Sequence, residues 1–95
     1  INRAYYCMYH SVRAAVYVQM QLDVEKHQPL INKFRKLLDR EFNNTVLADL
    51  MDYWRINRNE CDYNPMAQIT AENSNDVVID SENILNTCKN LVEAF

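Results

Sequence analysis

The sequence predicts an all-α fold, an antiparallel bundle of four to five helices, and three observations point to it. The 95 residues contain no glycine and only two prolines, so primed two-residue hairpin turns have little to build them. Apolar residues recur at three- and four-residue intervals in four long segments, the period of a helix with one covered face. Short polar stretches with helix-ending and helix-starting residues separate the segments. The length suits one domain, residues 1–95, near the lower end of what folds on its own core.

The first segment runs from Ile1 to Gln21 and carries two faces. Ile1, Ala4, Tyr5, Met8, Val12, Ala15 and Val16 form a core-facing stripe. Arg3, Tyr6, His10, Arg13 and Tyr17 line the other side, which places two guanidinium groups and three rings on one face. That face is expected in a cleft or a subunit interface. No capping residue precedes the segment, so the domain is expected to be N-terminally truncated and to lack its first helix here.

After a polar connection, Pro29 is expected to open the second helix, where its missing N–H costs nothing. Leu30, Ile31, Phe34, Leu37 and Leu38 give this helix its apolar face, and Lys33, Arg35, Lys36 and Arg40 fall elsewhere. Asn43 and Asn44 interrupt the pattern, and Asn44 or Thr45 can cap a third helix. Its core positions are Val46, Leu47, Leu50, Met51, Trp54 and Cys61, while Arg55, Arg58 and Asp62 share another side with Asn59 and Tyr63 nearby. Asn64-Pro65 ends it, because a residue before proline is pushed out of the α region. The last helix starts after Thr70 or Ser74 and carries a stripe from Val77, Val78, Ser81, Ile84 and Leu85 through Cys88, Leu91, Val92 and Phe95. At about 25 residues it would span roughly 37 Å and brace the whole bundle.

Composition excludes several functions. Without glycine, the loops that cradle nucleotide phosphates cannot form. A net charge of -3 argues against a protein-wide attraction for nucleic acid, although the acidic excess sits after residue 70 and leaves room for a local basic surface. No run is long and apolar enough for a membrane span. Three widely spaced cysteines fit reduced thiols in the cytoplasm. Cys7 and His10 alone do not make a zinc site, and no metal or cofactor is implied.

The residues Asn2-Arg3-Ala4-Tyr5-Tyr6, His10 and Ala14, then Lys26-His27, Phe34, and Arg58 followed by Asp62-Tyr63, resemble a HEPN domain. This is an α-helical family of prokaryotic toxin–antitoxin and nucleotidyltransferase-linked operons. The resemblance implies a four- or five-helix bundle, a tendency to form homodimers, and a nucleotidyltransferase partner. It also implies RNA or a nucleotide as ligand. Many members are metal-independent ribonucleases with an R-x4-6-H motif. Arg58 occupies the arginine position and Asn59 follows it, but the three permitted histidine positions hold Tyr63, Asn64 and Pro65.

Two readings follow. In the first, the chain is a binding or accessory module whose ribonuclease motif is degenerate, and Tyr63 resembles a tyrosine that the partner enzyme modifies in some members. In the second, it is a ribonuclease toxin in which Arg58 acts with His10, Asp62 or Tyr63. RNA cleavage at neutral pH needs a group that titrates near 7, and a carboxylate or phenol serves only after a large pKa shift. Arg3, Tyr6, Arg13, Asn59 and Tyr63 are the candidate binding residues around that cleft. Arg3, Arg58 and Asp62 equally suit a structural ion-pair network.

Overall fold

The computed structural model describes residues 2–63 and 71–94, with side chains for residues 3–58 and 75–94. Four helices make up the described chain: α1 (Asn2–Met20), α2 (His27–Phe42), α3 (Val46–Tyr63) and α4 (Ala71–Glu93). The all-α bundle read from the sequence is what forms. Ile1, Asn64, Pro65 and Phe95 lie outside the described residues, as does the side chain of Cys61.

Each helix places one stripe in a common core. Tyr5, Met8, Tyr9, Val12, Ala15 and Val16 come from α1, and all five apolar positions expected of α2 are buried. Ala48, Met51 and Trp54 come from α3, and Val77, Ile84, Cys88 and Leu91 from α4. Burying each large side chain contributes about 1.5–3 kcal/mol, which makes this core the main source of stability.

The helix ends follow local chemistry. Pro29 is the third residue of α2, not the first. His27 opens the helix, and the first backbone bond of its ladder runs from Leu30 N–H to Lys26 C=O at 3.0 Å. Proline is tolerated at this position because N–H groups of the first turn have no intrahelical partner. Asn43 ends α2 in the left-handed conformation at φ 52°, with its N–H on the Asp39 carbonyl at 3.0 Å. Asparagine is among the few non-glycine residues suited to that region. Asn44 Oδ1 then accepts from Val46 N–H at 3.0 Å and starts α3.

Some expected core positions are at the surface. Val46 is 55% exposed, because it stands in the first turn of α3 at the end of the bundle, while Leu47 and Leu50 are half-buried. In α4 the expected stripe divides, with Val77, Ser81, Ile84, Cys88 and Leu91 buried and Val78, Leu85 and Val92 exposed. Nine positions span a wider arc than the roughly 100° that packed neighbours cover.

Direction is set by the connections. The three residues Asn43–Thr45 join α2 and α3 as an antiparallel pair. Residues 21–26 instead double back along α1, so α2 begins beside the start of α1 and both point the same way. At the far end Gln19 ties three helices, donating to the Leu91 carbonyl of α4 at 2.6 Å and accepting from Arg40 of α2 at 3.1 Å. Trp54 Nε1 donates to Asp80 Oδ2 at 2.7 Å and fastens α3 to α4.

Candidate functional site

The returning strap builds one wall of the site. Asp23 meets Arg13, the Glu25 carbonyl accepts from the Tyr9 hydroxyl, and His27 meets Tyr5. Partners thus step by two along the strap and by four along the helix. The two rises match: two extended residues advance about 6.6 Å and four helical residues about 6.0 Å. Arg13 grips Asp23 with a two-point fork of 2.6 and 2.9 Å, and its second contact reaches Glu25 at 3.4 Å. The fork raises the Arg13 pKa and lowers that of Asp23. Arg13, read as a cleft residue, is the clasp of the strap in this structure.

At the strap's end, Tyr5 Oη lies 2.7 Å from His27 Nδ1. Tyr5 is fully buried, and burial pushes its phenol up to about 12 against the opposing pull of Arg58 and Arg55. The half-buried His27 is shifted down from the usual imidazole range, first by desolvation and then by the same two arginines. At neutral pH the phenol keeps its proton and the imidazole is uncharged. His27 also packs against Tyr9, with ring centroids 4.5 Å apart.

Arg58 comes to this cluster from α3. Its guanidinium carbon sits 4.9 Å from the Tyr5 ring centre and 5.5 Å from that of Tyr6, and Nη1 donates to Tyr6 Oη at 3.2 Å. His10 is exposed and joins through Tyr6: their rings lie 6.2 Å apart at 28°, while Tyr9 meets His10 edge-on at 5.1 Å. The structure therefore assembles Arg58, Tyr6 and His10 from two helices. Arg3 is exposed on the same helix as Tyr6, and the side chains of Asn59, Asp62 and Tyr63 lie outside the described residues.

Sequence reading assigned Tyr5 to the core and gave His27 no role in the site. Both are central here. The available signal was the spacing match between Tyr5, Tyr9 and Arg13 on the helix and His27, Glu25 and Asp23 on the strap. Among the described residues, no group of three or more metal-binding side chains is assembled, and no helix is long and apolar enough to cross a membrane.

Fold and cluster together define a small helical-bundle protein whose polar site joins an arginine of α3 to tyrosine and histidine rings of α1 and the first residue of α2. The family profile of the HEPN domain matches residues 1–91, and the chain belongs to that family. No curated protein and no solved structure gives a match.

Proposed function

We propose that this HEPN chain works by binding: a cytoplasmic homodimer that accompanies a minimal nucleotidyltransferase in a toxin–antitoxin-like pair, with a degenerate ribonuclease motif. The observation that carries this reading is the state of Arg58. Its guanidinium is held on the faces of Tyr5 and Tyr6 and on the Tyr6 hydroxyl. The positions where the family motif would supply a histidine hold Tyr63, Asn64 and Pro65. An arginine held this way serves as an anchor for a surface, and the exposed Tyr6 and His10 linked to it, with Arg3 exposed on the same helix as Tyr6, offer a polar aromatic face to a partner. The test is expression of the full-length protein from its own operon and a search for a co-purifying nucleotidyltransferase. A stable complex is expected, and separate elution at micromolar concentration would refute the pairing.

One observation favours a second reading. His27 stands at the Tyr5 hydroxyl with its pKa pulled down first by burial and then by Arg58 and Arg55. An uncharged imidazole near a guanidinium can accept a proton while the cation stabilises a phosphorane-like charge. In a ribonuclease, Arg58 would act with His27, or with His10, Asp62 or Tyr63. Loss of RNA cleavage in His27→Gln, with the fold retained, would support this reading over the first.

A further inference from the structure

α4 carries a second apolar row that its own bundle leaves uncovered. Val78, Leu85 and Val92 are 48%, 42% and 37% exposed and stand seven residues apart. Seven residues fall about 20° short of two full turns, so the three side chains form a nearly straight row along about 21 Å of helix. Beside it, His10, Ser11 and Ala14 of α1 form the facing wall of a groove closed by Leu85, Lys89 and Val92.

The row is symmetric about Leu85, with a valine seven residues to either side. Two of the exposed charges next to it, Glu82 and Lys89, stand on opposite sides of this point, and Glu93 lies on the same flank four residues beyond Lys89. Glu82 lies three residues before Leu85 and Lys89 four after, and at 100° per residue both fall on one flank of the row, within about 20° of each other. They are about 10 Å apart along their own helix, too far to pair within one chain.

We propose that a second copy of this chain packs its α4 antiparallel on this row, about a two-fold axis at Leu85. This rests on the homodimer proposed above and gives it a surface. In this register Leu85 meets its own counterpart, Val78 meets Val92 of the partner subunit, and Glu82 meets Lys89 of the partner subunit. A two-fold contact is self-complementary, so each of the unlike pairs forms twice. A row and flanking charges that pair with themselves on reversal suit a second copy, and other occupants are outcomes of the test below.

Sedimentation of the full-length protein and disulfide trapping test the seam together. Only a residue on the axis meets itself, so Leu85→Cys should link two copies under mild oxidation. Ile79→Cys should not, although it is 55% exposed, because it lies about 120° around the helix from Leu85. Glu82→Lys and Lys89→Glu should each weaken the dimer about tenfold by setting like charges together, and the double variant should restore it. All four positions are at the surface, so far-UV circular dichroism should match the wild type. A wild-type monomer would overturn the homodimer and the seam alike. A dimer that neither links through position 85 nor responds to the charge reversals would overturn the seam alone. Linkage of Leu85→Cys to a different co-purified protein would overturn the choice of a second copy.

Discussion

Tyr5 and His27 share a hydrogen bond of 2.7 Å, and its worth can be read from stability. Tyr5→Phe removes one side-chain hydrogen bond and leaves Nδ1 of His27 without that phenol, at an expected cost of about 1 kcal/mol in urea denaturation. The pH dependence follows from the direction of the His27 shift. Its folded pKa lies below the unfolded 6.5, so the unfolded chain binds the proton first. Its contribution is fully present above 6.5 and is lost as the pH falls below it. Asp23 is also shifted down, but from 3.8, and adds nothing in that window. The urea midpoint of the wild type should therefore fall between pH 7.5 and 5.5, and that of His27→Gln should fall less. An equal fall in both would show that His27 is not held as described.

At the scale of elements, the helices were legible where one face meets one core. The α2 stripe of Leu30, Ile31, Phe34, Leu37 and Leu38 emerged as read because its neighbours cover a single face. Val46, Val78, Leu85 and Val92 were not separable from core residues, because periodicity records which side chains are apolar and not how wide an arc the neighbours cover. The site was legible only where it lies on helix faces: Tyr6 and His10 share a stripe of α1, and Arg58 stands out on α3. His27 was missed because it opens α2 at the end of the strap, ahead of the apolar stripe that makes that helix readable. The turns are more local. Asn43 adopts φ 52°, so Asn43→Ala should lose about 1 kcal/mol and Asn43→Gly should be neutral or slightly stabilising, as measured by thermal unfolding. Equal losses in both would assign the position to side-chain contacts instead.

For the whole molecule, the extended strap decides what the bundle can present. By returning along α1 it brings the start of α2 to the start of α1 and gathers Tyr5, Tyr9 and His27 at one place, where Arg58 arrives from α3. α1 packs most extensively against α4, and the exposed flank of this pair holds both His10 and the Leu85 row. A partner seated there would touch Tyr6 through His10, and Tyr6 is the acceptor for Arg58. Binding on this flank would therefore reach Arg58 through one set of side chains.

The measurement that separates them most directly is a growth assay of the full-length protein expressed alone, beside its Arg58→Ala variant, with total RNA resolved from both cultures. A chain that works by binding should leave growth unimpaired and RNA intact in both. Growth arrest with RNA fragments in the wild type, and relief of both by Arg58→Ala at equal protein level, would contradict it and establish cleavage.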